Sequence, residues 1–122
     1  IGTNFTVSTG EGYMATMTSP VAWVVVGSHD PGAAISVVNA GLGQNWLSVP
    51  YHTTSANAGN LITELEADLG GATTIDTVSR WNSATSSFES FNGRIGTNFT
   101  VTAGEAYMAT ATGAGSWTPE HY

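Results

Sequence analysis

The sequence predicts an α+β fold: a predominantly antiparallel, sandwich-like β-sheet carrying one short amphipathic helix at about residues 55–69. An all-β sandwich with that helix as an insertion is the alternative. Three observations carry the prediction. Short runs rich in β-branched and aromatic residues recur between turns containing Gly, Asn and Pro. A single window shows helical periodicity. Finally, one strand-like segment occurs twice, near the two ends of the chain.

The elements follow in order. Residues 21–27 are β-branched with Trp23 inside them, and the turn-forming SHDPG at 28–32 ends the run, which predicts a buried strand and a turn. Residues 34–38 and 46–51 read as two further strands separated by a Gly-containing stretch at 41–45, with Pro50 placing the end of the second at an edge or bulge. In 55–69, Ala58, Leu61, Ile62, Leu65 and Leu69 fall at i, i+3, i+4, i+7 and i+11, with Asn60, Glu64 and Asp68 opposite. Thr54 or Ser55 can cap the start of this helix, and Gly70 with Gly71 suits a left-handed stop. Residues 74–81, a turn at 82–86 and residues 87–91 form a hairpin pattern, followed by a short extended piece at 99–101 and a strand at 106–112.

The duplication is the most informative feature. IGTNFTVSTGEGYMATMT at 1–18 and IGTNFTVTAGEAYMATAT at 95–112 match at 14 of 18 positions, offset by 94 residues, and the same offset carries Trp23 onto Trp117. The chain therefore reads as a single compact unit, 1–122, in which 1–28 and 95–122 are repeat copies and 45–112 is the more complete module. The second copy follows a segment, 45–94, that the first copy lacks before it. The first copy is thus expected either to pack differently or to complete the sheet of a neighbouring molecule, as edge strands do in β-augmentation. A contact of that heterologous kind that does not close gives a filament. An arbitrary cut through a tandem array is the plainer explanation, compatible with the first.

Composition narrows the partners. The 122 residues include two Arg, no Lys and nine Asp plus Glu, a formal net charge of −7. That balance excludes the basic footprint of a nucleic-acid binder and argues against an anionic membrane surface. No apolar run approaches the ~18 residues needed to span a bilayer as a helix. Cysteine is absent, which excludes disulfides, thiolate metal sites and cysteine catalysis. A chain that begins at Ile1 is expected to be a processed product or a stretch of a longer one. The Thr-, Ser-, Asn- and Gly-rich, Lys-free composition points to a secreted or cell-surface location.

The words NWLSVPYHTT, SRWNSATSSFESF, GTNFTVTAGEAYMAT and SWTPEHY, together with VGSHDP at 26–31, resemble in their order a repeat module of large secreted or surface-attached bacterial proteins. The resemblance spans nearly the whole chain and implies an extracellular, tandem, non-catalytic building block. It carries no catalytic or ligand residues across.

Residues able to do chemistry do not form a legible constellation. His29, His52 and His121 are spread along the chain without a metal-binding spacing, and adjacency of Ser28, His29 and Asp30 in a turn does not make a triad. Glu64, Glu66 and Asp68 read as a solvated acidic helix face rather than a calcium loop. The expectation is therefore no enzyme, no metal and no cofactor. Trp23, Trp46, Trp81 and Trp117, with the tyrosines, are expected as core or interface anchors, with a sugar-stacking platform as the alternative. Phe5, Val7, Tyr13, Trp23, Phe99, Val101, Tyr107 and Trp117 are the candidate inter-subunit contacts. Asn4 and Asn98 each begin an NFT sequon and are candidate glycosylation sites. The function expected is a structural subunit of an extracellular filament or surface array, pairing with itself head to tail. A carbohydrate-binding or adhesion module, with polysaccharide or covalent glycan as partner, is the alternative.

Overall fold

The computed structural model describes residues 2–22, 24, 30, 32–71 and 74–120. In chain order its elements are β1 (Ile35–Val37), β2 (Gln44–Ser48), α1 (Ala58–Asp68), β3 (Ile75–Asn82), β4 (Ser87–Phe91), β5 (Ala106–Ala111) and β6 (Gly115–Trp117). β2, β5, β3 and β4 form one antiparallel sheet in that spatial order, and β1 pairs with β6 in a second, two-stranded one. With α1 packed on β3 and β6, this is the expected α+β arrangement.

Local chemistry explains each element. The β3–β4 hairpin closes where Asn82 Oδ1 accepts from Ala84 N at 2.9 Å, an Asx turn that reverses the chain. β5 alternates strictly, with Tyr107, Ala109 and Ala111 buried on the core side. Their partners are Leu47 on β2 and Val78 on β3, against which α1 buries Ala58, Leu61, Ile62 and Leu65. The other sheet face carries Trp46 opposite Met108, Met108 opposite Ser79, and Trp81 opposite Phe88.

Several boundaries differ from expectation. β2 starts at Gln44, inside the stretch read as a turn, because the ladder with β5 extends to the Gln44–Thr110 pair. The helix starts three residues late: Asn57, not Thr54 or Ser55, is the N-cap, its Oδ1 accepting from Asn60 N at 3.0 Å. Of the strand expected at 21–27, Trp23 and residues 25–27 lie outside the described residues, while Val21, Ala22 and Val24 are exposed and belong to no strand. Residues 28, 29 and 121 lie outside them too.

The acidic helix face is the larger correction. Glu64 is 8% exposed. One carboxylate oxygen accepts from Trp117 Nε1 (2.9 Å) and Glu120 N (2.7 Å), and the other from Ser55 Oγ (2.5 Å). At three residues past Leu61 it borders the apolar stripe, and three donors compensate the burial of its charge. One turn on, Asp68 accepts from Thr118 N at 2.8 Å. Two helical carboxylates thus fasten the segment that contains β6.

Candidate functional site

The duplicated segment is where residue chemistry and surface exposure part company. In the second copy, residues 96–102 run from the outer edge of β4 to the start of α1. Thr97 N donates to Ser90 O at 3.1 Å, and Phe91 bridges Gly96. At the helix, Ala58 N donates to Phe99 O (2.9 Å), Gly59 N to Asn98 Oδ1 (2.9 Å), and Val101 N to Ala56 O (3.1 Å). An α-helix begins with N–H groups that have no partner inside it. Here Asn57 serves Asn60, and Asn98 and Phe99 serve Gly59 and Ala58. The NFT word is therefore a helix cap delivered from the other end of the module, whatever its use as a sequon.

Arg80 completes this slot. Its guanidinium lies 4.9 Å from the Phe99 ring centroid, its Nη1 donates to Thr100 O at 3.3 Å, and its Nε pairs with Glu89 Oε2 at 2.8 Å. Hydrogen bonds from Asn82 and then Arg80 hold the Glu89 carboxyl below the usual range. Beyond the slot the chain turns a corner. The Tyr107 hydroxyl accepts from Thr102 N (2.7 Å) and donates to the Glu105 carboxylate (2.9 Å), while its ring stacks on Phe99 with centroids 6.0 Å apart. Burial foremost pushes the Tyr107 hydroxyl up to about 12.

The first copy builds the same corner without the slot. The Tyr13 hydroxyl accepts from Ser8 N at 2.8 Å and donates to the Glu11 carboxylate, and its ring stacks on Phe5 at 5.6 Å. Gly10 and Gly104, equivalent in the repeat, both take positive φ, 82° and 83°. Yet Phe5 and Val7 are 68% and 73% exposed, whereas Phe99 and Val101 are 3% and 8% exposed. Asn4 is also exposed, with its equivalent Asn98 engaged on the helix. Among the described residues the first copy meets the sheet along the free edge of β2, with Gly12 beside Ala106 at the start of β5 and Gly10 against Ile35 of β1. At that edge Glu11 bridges Leu47, Gly12 N donates to Trp46 O (3.1 Å), and Ser48 N donates to Gly10 O (3.0 Å). Leu47 is consequently flanked by Glu11 on one side and Tyr107 on the other.

The expected contact residues thus divide into two sets. Phe5 and Val7 stand in solvent and Tyr13 is half-buried, while Phe99, Val101, Tyr107 and Trp117 are core residues of their own chain. The correction for the latter four is physical: their cover comes from within the chain. Arg80 and Tyr107 lie on the Phe99 ring, Val101 N donates to Ala56 O ahead of α1, Leu47 pairs with Tyr107, and Ile35 and Glu64 hold Trp117. Trp23 lies outside the described residues. Sequence reasoning missed Arg80, whose role depends on a contact about twenty residues along the chain, and Asn57, whose cap on Asn60 is local. A capping signal, Asn three residues before another polar residue at the head of an apolar stripe, was available for Asn57.

Elsewhere, Trp46, Phe88 and Trp81 form an aromatic row on the open sheet face. Ring centroids lie 6.1 and 5.1 Å apart and the planes are inclined at 54° and 74°. His52 is buried beside Tyr51, ring centroids 5.3 Å apart. Among the described residues no group of three or more His, Cys, Asp or Glu is placed to hold a metal ion, and no helix is long and apolar enough to cross a membrane. No family model, characterised protein or solved structure matches the chain.

Proposed function

We propose that this protein is a structural building block of an extracellular filament or surface array, in which neighbouring units are joined by β-strand pairing through the first repeat copy. One observation carries the reading: identical residues are buried in one copy and exposed in the other, Phe99 and Val101 against Phe5 and Val7. Burying a Phe or Val side chain is worth roughly 1.5–3 kcal/mol. An exposed pair on a preformed corner is therefore a surface with a partner to gain, and the ordering cost of that corner is already met within the chain. The secreted location and the tandem-module resemblance belong to the same proposal and rest on composition and motif order.

The test is electron microscopy with light scattering on the full chain over a concentration series, beside a variant carrying Phe5→Asp and Val7→Asp. Ordered assemblies of the native chain that the variant does not form are expected. A native chain that stays monomeric at every concentration, or a variant that assembles equally well, sinks the reading. A second reading, a carbohydrate-binding or adhesion module, is favoured by the Trp46–Phe88–Trp81 row, although its inclined rings offer a saccharide no flat platform. Polysaccharide pull-down with Trp81→Ala as control separates the two.

A further inference from the structure

The geometry points to slot exchange as the joining step: residues 2–8 of one chain enter, on a second copy of this chain, the slot that residues 96–102 fill in their own molecule. This rests on the assembly reading and names its partner surface.

The slot recognises only what both copies possess. Its contacts to Thr97, Phe99, Thr100 and Val101 are made to their backbone atoms, and Thr3, Phe5, Thr6 and Val7 carry the same groups. The side chains it reads are Asn98, through Oδ1 on Gly59 N, the Phe99 ring, under Arg80, and the buried Val101; Asn4, Phe5 and Val7 match all three. Entry also demands a glycine. A Cβ at Gly96 would lie 2.0 Å from Ser90 O, and φ there is +102°. Gly2 supplies that freedom, and around it the same Cβ would meet nothing.

The described residues hold one slot and two segments able to fill it. The segment in place has the advantage of attachment, an effective concentration on the order of millimolar for a short tether. In dilute solution a chain therefore keeps its own slot closed, and 96–102 act as a brake on assembly. Release of that segment opens the slot to a neighbour's residues 2–8. The contact is heterologous, N-terminal segment to slot, so repetition gives an open chain rather than a closed ring where the rotation does not close.

The brake can be loosened in the full chain with Phe99→Asp. This variant is expected to assemble, by light scattering, at a concentration about tenfold or more below that required by the native chain. Adding Phe5→Asp removes the second filling segment and should return the scattering mass to that of one chain. Because the double variant carries a slot and no competent filler, a synthetic peptide of residues 2–18 should bind it, and the same peptide with Phe5→Asp should not. If the double variant is unfolded alone, the wild-type peptide must restore its near-ultraviolet circular dichroism. Slot exchange is overturned if Phe99→Asp assembles no more readily than the native chain, if the double variant assembles equally, or if the peptide neither binds nor folds it. Peptide binding without native assemblies would leave slot exchange standing and remove the filament reading. Native assemblies without peptide binding would do the reverse.

Discussion

At the scale of single residues, Glu64 and Tyr107 are buried polar groups whose hydrogen bonds tie one part of the core to another. Glu64 is a buried carboxylate satisfied by neutral donors from Ser55, Trp117 and Glu120. Truncating it strands the buried Trp117 indole N–H and frees the Glu120 amide, and a stranded buried donor costs about 1–3 kcal/mol. Glu64→Ala should therefore lower unfolding stability by about 3 kcal/mol, cavity included, with an unchanged m-value in urea. Glu64→Gln should cost about 1 kcal/mol, since an amide oxygen can keep Trp117 and Glu120 while the amide N–H faces Ser55 Oγ. Equal losses for the two variants would refute this division. Tyr107 acts through pH. Its hydroxyl titrates at about 12 in the folded chain against an ordinary 10, so the folded state holds the proton more tightly than the unfolded one. Its contribution is complete below pH 10 and is lost as pH rises from there through about 12. Denaturation midpoints measured across that window should fall more steeply for the native chain than for Tyr107→Phe, which has no proton to lose.

At the scale of elements, the same sequence word behaves according to what lies beside it. Gly96 and Gly2 are repeat equivalents, but only Gly96 is held at positive φ against the Ser90 carbonyl. Gly96→Ala must displace backbone and adopt a disfavoured φ, which should cost about 2–4 kcal/mol, whereas Gly2→Ala should be neutral within about 0.5 kcal/mol. Thermal melts of the two variants decide it. This contrast also shows what the sequence could disclose. The β3–β4 hairpin, the body of α1, β1 and β5 were legible because local period and turn chemistry specify them. The helix start was not, because half of its cap arrives from Asn98 and Phe99, about forty residues away. Glu64 was misread for a related reason: a residue on the border of an apolar stripe is buried or exposed according to what packs there, and here it is β6. The duplicated words marked the candidate site, yet which copy would be core and which surface depended on the single set of partners between 56 and 91.

At the scale of the whole molecule, the two copies of one segment stand differently toward the same core. Among the described residues, the core side chains come from residue 35 onward. The described segment before residue 18 contributes two backbone hydrogen bonds to the edge of β2, at Gly10 and Gly12, the close approach of Gly10 to Ile35 and of Gly12 to Ala106, and its own aromatic corner. Removing residues 1–9 spares both edge bonds and discards the Phe5–Tyr13 stack, to which the lost residue brings a ring 68% exposed. The truncated chain should therefore match the full chain in unfolding stability within about 0.5 kcal/mol, as surface changes generally do. Phe99→Ala, which removes the identical residue from the core, should cost about 3–5 kcal/mol. Urea denaturation of the three chains measures both effects. A large loss on truncation would mean that the first copy is part of the fold, leaving no spare segment to join molecules. Unchanged stability together with lost assembly would separate the two duties of one sequence, closing its own module at 95–112 and reaching toward another at 1–18.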